Sequence, residues 1–388
     1  MRPFRLFGAC CATLTLLATA CSATPPSQST PTAVSGAPTS TPTATRRFGD
    51  ATAVRLPPET LSAILTATAE SLATPTPSPS PTSTGTTTET PTPTITPTPT
   101  DKPIGTVEPI AVMIDNIGDA RPHSGLAGAD VVYDIPAEGG ITRLLAIFFK
   151  DGPERVGPVR STRSYYVYLA KQFDAALVHV GASPGGWGAL YDTGILDVDE
   201  TTGTAGFSRD PNRYAPHNAY MNLPALRQAM SAAEVSLVGG LGGLVYAPPT
   251  PPADGTPSTE LEIDYPGAGA YTIVYTYDAA ANRYLRTMDG APHSDAETGE
   301  QYSARTVLVQ ITAVVPIEGD EFRRVDVQLI GSGEGYLAMN GTVYPVTWSK
   351  SDYTQGTVFT YLDGSAVTLP RGPVWIQIAP YDSVVEAR

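Results

Sequence analysis

The chain has 388 residues and a formal net charge of −14, from 24 Lys and Arg against 38 Asp and Glu. That acidity excludes a bulk nucleic-acid binder, which needs a basic face to neutralise phosphates. Only 16% of residues are charged while 38 are proline, so a Pro/Thr/Ser-rich segment is attached to a globular part, and three cysteines are too few for a disulfide scaffold.

Arg2 and Arg5 precede an apolar run from Leu6 to Leu17, followed by Ala18-Thr19-Ala20-Cys21. A run this short does not span a bilayer as a permanent helix, so residues 1–20 read as a signal peptide. Cleavage before Cys21 would leave that cysteine at the new N-terminus. The pattern resembles a bacterial lipobox, with Ala18 where Leu is preferred. Ala18-Thr19-Ala20 also fits an ordinary export cleavage site. A lipid on Cys21, holding the protein at the extracytoplasmic face of a bacterial membrane, is the expectation, and simple secretion or an uncleaved anchor is the alternative. Each acyl CH₂ buried in the bilayer would contribute about 0.8 kcal/mol. Cys10 and Cys11 leave with the signal, so the mature chain has no cysteine pair. Loss of Arg2 and Arg5 takes its formal charge to −16.

From Cys21 to about Thr106 the chain is mostly Ser, Thr, Pro and Ala, with Pro and Thr alternating from Pro75 to Thr100. Such a stretch has too little apolar surface to offset its ordering entropy, and it reads as a disordered tether. Within it, Glu59 to Ala73 sets Leu61, Leu65 and Leu72 on one face of a transient helix.

The folded part begins near Val107. "IAVMID" (Ile110 to Asp115) reads as a buried strand, and "ADVVYDI" and "ITRLLAIFF" as two more, split by Glu138-Gly139-Gly140. Tyr165 to Phe173 has helical spacing, "AALVHV" is a further strand, and Leu223 to Ala233 is a helix with Pro224 in its first turn. Residues 107–246 therefore read as an α/β layered domain. "APPTPPADGTPSTE" (247–260) is a Pro-rich linker or an insertion in one compact unit. Residues 261–388 carry short β-rich runs between Gly, Asp and Asn turns, from "YTIVYTY" to "VWIQIAP", and read as a mostly antiparallel C-terminal domain. The expected fold class is α+β.

Familiar catalytic patterns fail on their chemistry. Gly181-Ala182-Ser183-Pro184-Gly185 matches G-x-S-x-G after a strand, with Asp210 and His217 following in the order of a hydrolase triad. The residue after the nucleophile must give a backbone N–H to the oxyanion hole, and Pro184 has none. The segment then reads as a tight Gly/Pro turn. The four histidines, His123, His179, His217 and His293, are scattered and show no HExxH. Asp197, Asp199 and Glu200 ("DVDE") could touch calcium but read better as an acidic surface loop. No Walker or G-x-G-x-x-G pattern is present. No metal and no cofactor is expected.

The richest segment is "VGPVRSTRSYYVYLA", which places Arg160, Ser161, Thr162, Arg163 and Ser164 directly before a helix. Helix N-termini offer free N–H groups, and paired guanidiniums add charge-assisted donors for phosphate or carboxylate. Arg143 follows the Gly-Gly turn, and Arg209 and Arg213 flank "FSRDPNRYAPHN", which also holds His217 and Asn218. The competing reading pairs each arginine with a local carboxylate: Asp134, Glu138 or Asp210.

On "RPHSGLAGADVVYDIPAEGGITRLLAIF", "VGPVRSTRSYYV", "HVGASP", "FSRDPNRYAPHNAY" and the later "YTYDAAANRYLRTMDGAPHSD" and "YPVTWSKSDYTQGTVFTYLDGSAVTLPRGPVWIQIAP", the chain resembles the YerB-like bacterial lipoproteins, a family of unknown function. The likeness runs from about Ile110 to Pro380. It departs at Asp134, where Glu is expected. It implies an extracytoplasmic lipoprotein with N- and C-terminal modules and supplies no activity. The order "ITRLLAIFF…VGPVRSTR" also resembles the LytR–CpsA–Psr envelope proteins, which hold polyprenyl pyrophosphate with arginines around an α/β sheet.

The leading expectation is an arginine-rich cleft for an anionic wall precursor or glycan, built from Arg143, Arg160, Ser161 and Arg163 and completed by His179, Ser183, Arg209, His217 and Asn218. The C-terminal domain would cover it or dock a partner. One alternative is a LytR–CpsA–Psr-like phosphotransferase, with Asp115 and Asp130 as metal carboxylates. The other is a non-catalytic scaffold that docks another envelope protein.

Overall fold

A computed structural model describes residues 107–149, 151–266 and 271–388. The signal, Cys21, the tether and the Leu61–Leu72 segment lie outside these residues. Among the described residues no helix is long and apolar enough to cross a membrane.

β1 (Ile110–Asp115), β2 (Val131–Pro136) and β3 (Thr142–Phe148) pair antiparallel, with β3 in the middle. The helix α1 (Ser164–Lys171) leads to β4 (Ala176–His179), and α2 (Pro184–Thr193) leads to β5 (Leu196–Asp199). β4 lies parallel to β1, and β5 parallel to β4. All six residues of β1 are buried. Ile110, Val112 and Ile114 join the core on one face, Ala111 and Met113 that on the other, as alternating Cβ directions require. The second face is covered by Tyr165, Tyr166, Leu169 and Phe173 around α1 and by Ala189 and Leu190 of α2. The first is covered by Leu226, Ala229 and Met230 of α3 (Leu223–Ala232) and by a second sheet.

That second sheet contains β6 (Glu260–Tyr265), β7 (Tyr271–Asp278) and β8 (Arg283–Met288). The strands β9 (Thr306–Thr312), β10 (Gly331–Met339), β11 (Thr342–Lys350) and β12 (Val358–Tyr361) form an antiparallel meander. β13 (Val374–Pro380) inserts between β9 and β2, parallel to both, and β14 (Val384–Ala387) returns to β6. The main sheet therefore runs β12-β11-β10-β9-β13-β2-β3-β1-β4-β5. Strands from both sides of the Pro-rich stretch share it, and Thr256–Pro257 within that stretch pairs on β11.

The fold is the expected mixed α+β class, with few helices, a mixed N-terminal sheet and largely antiparallel C-terminal pairing. Two local readings are corrected. The Gly/Pro turn at Ser183 opens a ten-residue helix, α2, whose three glycines hide it from helical propensity. "DVDE" is no surface loop: Leu196–Asp199 is a buried strand. Leu196 and Val198 pack into the core, and the intervening carboxylates find partners inside.

Candidate functional site

Asp115 ends β1, and its carboxylate is 1% exposed. Its Oδ2 meets Arg160 Nε at 3.0 Å and His217 Nδ1 at 2.6 Å. Arg143 and Arg163 instead share Glu138. Arg163 spends all three of its nitrogens: Nε and Nη2 donate to Glu138 at 3.2 and 2.5 Å, and Nη1 donates to the Thr162 carbonyl at 2.7 Å. Arg143 is buried, with Nη2 on Glu138 and Nη1 donating to the Ser161 carbonyl at 2.7 Å. Burial would raise the Glu138 carboxyl, but the two guanidiniums win and hold it below the usual range. Burial pulls Arg160 down from its ordinary value while Asp115 pushes it up.

The other candidates divide in the same way. His179 is fully buried between Asp197 Oδ1 (2.8 Å from Nε2) and the Gly181 carbonyl (2.9 Å from Nδ1). Asp199 accepts from the Gly181 and Thr201 amides at 2.8 and 3.0 Å. Ser183 caps α2 by accepting from Gly186 N at 3.1 Å, the ordinary work of an N-cap serine. Arg209 is held by both oxygens of Glu200 at 2.8 Å and by Asn218 Oδ1 at 2.9 Å. The Ser-Asp-His order is not connected, because His217 bonds Asp115 and Asp210 bonds Arg155 at 2.5 Å.

Arginine pairing with carboxylates is thus real, with partners partly different from those expected. Glu138 takes Arg143 and Arg163, Asp115 takes Arg160, and Asp210 takes Arg155. Asp134 takes Arg286 from the C-terminal half. Asp130, the second candidate metal carboxylate, accepts the Phe149 amide at 2.7 Å.

What the structure gathers is a smaller site at the carboxyl ends of β1, β4 and β5, the usual ligand edge of parallel strands. The Arg160–Ser164 and Gly181–Gly186 segments run side by side there. Thr162 N donates to the Gly181 carbonyl at 3.1 Å and Val180 N to the Arg160 carbonyl at 3.1 Å. A Cβ on Gly186 would stand 3.1 Å from the Thr162 carbonyl oxygen, so glycine keeps this close approach free of crowding. A groove of about 290 Å³ along α3, lined by Glu108, Arg227, Met230 and Val235 among others, contains none of the candidate residues.

Residues outside the sequence expectation clasp the two halves behind this site. His123 Nε2 lies 2.6 Å from the Asp115 carbonyl, His123 Nδ1 lies 2.9 Å from His293 Nε2, and His293 Nδ1 lies 3.1 Å from Arg286 Nη1. One set of tautomers satisfies all three contacts: each histidine is neutral and carries its proton on Nε2. Arg286 then reaches Asp134. The signal was visible as a repeat, since Pro122-His123-Ser124 and Pro292-His293-Ser294 carry the same tripeptide into the two halves.

These features define a two-segment α+β protein with one shared sheet and a polar site at its parallel edge. Residues 95–236 match the N-terminal domain, and residues 261–376 the C-terminal domain, of the protein family of unknown function DUF3048. The chain belongs to that family. It is 33% identical over 278 residues to a Bacillus subtilis (strain 168) protein described as "Putative lipoprotein YerB", covering 70% of this chain and 81% of that one. A crystal structure of the YerB protein from Bacillus subtilis superposes with a TM-score of 0.64 at 30% identity, covering 72% of this chain and 94% of that one.

Proposed function

We propose that this protein is an extracytoplasmic lipoprotein that binds an anionic cell-envelope ligand, such as a phosphate-bearing wall precursor or glycan, at Arg160. One observation carries the reading. Arg143, Arg163 and Arg209 are committed to Glu138, Glu200 and backbone carbonyls. Arg160 meets Asp115 through Nε alone, a charge contact at 3.0 Å without hydrogen-bond geometry, and no protein hydrogen bond among the described residues occupies its terminal nitrogens. Its side chain is 25% exposed. A guanidinium with its fork open to solvent fits a phosphate or carboxylate bidentately.

A thermal-shift and calorimetric screen with inorganic phosphate, polyprenyl phosphates and wall glycan fragments tests this. Ligand at 100 times its dissociation constant should add about 2.7 kcal/mol of stability. Arg160→Lys keeps a cation at Asp115 but loses the fork, and should weaken binding at least tenfold with the unliganded melting temperature little changed. Unchanged affinity in that variant would end the proposal. The anchor has its own test. Labelled fatty acid should be incorporated into the parent and not into Cys21→Ser, and an unlabelled parent would exclude a lipid on Cys21.

Group transfer on polyprenyl-pyrophosphate-linked polymers is the second reading. It draws on the imidazole of His217, 18% exposed, held through Nδ1 on the buried Asp115, an arrangement suited to moving a proton at Nε2. Mg²⁺-dependent turnover of such a substrate would establish it, and its loss in His217→Gln would place the proton transfer.

A further inference from the structure

The elements joined to Arg160 display large aromatic rings to solvent. Trp187 and Tyr191 stand one turn apart on α2 and are 40% and 73% exposed. Tyr214 is 91% exposed, in the turn whose His217 amide donates to the Tyr214 carbonyl at 2.9 Å. That turn is fixed. Arg213 reaches back to the Pro122 and Asp119 carbonyls at 3.1 and 2.9 Å and to the Tyr220 hydroxyl at 2.7 Å. The Tyr214 ring is therefore presented by a braced loop. Trp187 packs against the buried His179 in a T-shaped arrangement, with ring centroids 6.1 Å apart, which holds the indole in place. Arg160 connects the two aromatic elements. Its carbonyl accepts from Val180 on the strand leading to α2, and its side chain meets the carboxylate that holds His217.

The composition of α2 points the same way. Gly186 lies close against the Thr162 backbone, but a Cβ on Gly188 would meet nothing within 4 Å, and one on Gly185 only Ser164 Oγ at 3.9 Å. Two glycines that packing does not require weaken the helix and leave the surface beside Trp187 bare. Exposed aromatic rings on elements joined to an open guanidinium and an imidazole are the chemistry that recognises a sugar. The C–H face of a pyranose lies on the ring, and its hydroxyls take the polar groups.

We infer that the site takes an acidic saccharide, with a sugar ring stacked on Trp187 and its phosphate or carboxylate on Arg160. This rests on the anion reading above and names its ligand class. Trp348 and Trp375 are each 2% exposed, so the tryptophan emission change on binding reports Trp187. The mature chain is titrated with tetragalacturonate, a phosphorylated tetrasaccharide, neutral cellotetraose and inorganic phosphate. The acidic saccharides should shift the emission to the blue and bind at least tenfold more tightly than cellotetraose or phosphate. By calorimetry, Trp187→Ala should lose at least tenfold in saccharide affinity and leave phosphate affinity unchanged, and Trp187→Phe should restore most of the loss. Arg160→Lys should weaken both ligand types. Phosphate binding without preference for the saccharides, or a Trp187→Ala variant that binds them as the parent does, overturns the saccharide assignment and leaves the anion site standing. Failure of all four probes to bind overturns both.

Discussion

The Arg286→Met variant should lose about 3–5 kcal/mol of stability at pH 7, the usual cost of stripping a buried charge of its partner. Arg286 and Asp134 are both fully buried and in direct contact. Burial pushes the Asp134 carboxyl up, and Arg286 pulls against it. Methionine fills the volume but leaves the carboxylate without its counter-charge. It also removes the donor to His293 Nδ1 and the guanidinium 4.7 Å from the Trp375 ring centroid. The pair joins β2 to β8, so its loss loosens the two sheets together. Adding Asp134→Leu should recover much of the loss, because an apolar pair avoids the desolvation cost that the ion pair carries. Urea unfolding of the parent, single and double variants followed by tryptophan emission gives the comparison. A single-variant loss below about 1 kcal/mol would mean that water reaches Asp134 and stands in for the arginine.

The fold was legible wherever side-chain periodicity matched burial. "IAVMID" reads as a strand covered on both faces because every residue of it is apolar or terminal, and β1 has that environment. Helix α2 was not legible, because Gly185, Gly186 and Gly188 erase its propensity, and the reasons for them lie in tertiary contacts or in the exposed surface. β5 was misread because Asp197 and Asp199 look solvated. Their partners, His179 and the Gly181 amide, come from the neighbouring strand and its following turn, some eighteen residues earlier. The arginines were legible as a group, but their sorting was not. Nothing in "VRSTRS" says that Arg163 will be spent on Glu138 while Arg160 keeps its fork open, since that depends on which strand end each side chain meets. The shared sheet was equally hidden, because β13 enters it beside β2 from more than two hundred residues away.

Acid should destabilise the protein below about pH 6.5 through two buried histidines, against the smaller opposite pull of Asp134, whose raised carboxyl takes its proton more readily in the folded chain. Burial lowers His123 to about 3 and pushes His293 well below its ordinary value, with the Arg286 and Arg121 guanidiniums adding to both shifts. Asp115 pulls His123 the other way and does not prevail. In the unfolded chain both histidines take up protons near pH 6.5, while in the folded chain they stay neutral. The unfolded state therefore binds more protons from about pH 6.5 down to the depressed folded values, and stability falls as pH falls through that window. Each histidine should cost about 2 kcal/mol on going from pH 7 to pH 5, or about 4 kcal/mol for the pair. The geometry gives the same sign, because a second proton on His123 Nδ1 would point at the His293 Nε2 proton across 2.9 Å. Glu138, held low by its arginines, keeps its contribution above its ordinary range and loses it only as pH falls through its lowered value, so it adds little above pH 5. Denaturation curves at pH 7, 6 and 5 give the slope directly. His293→Gln keeps a polar side chain beside His123 and should roughly halve the loss between pH 7 and pH 5. A His293→Gln variant that loses as much stability as the parent between pH 7 and pH 5 would mean that His293 is protonated in place, and the hydrogen-bonded chain from Arg286 to Asp115 could not then exist as described.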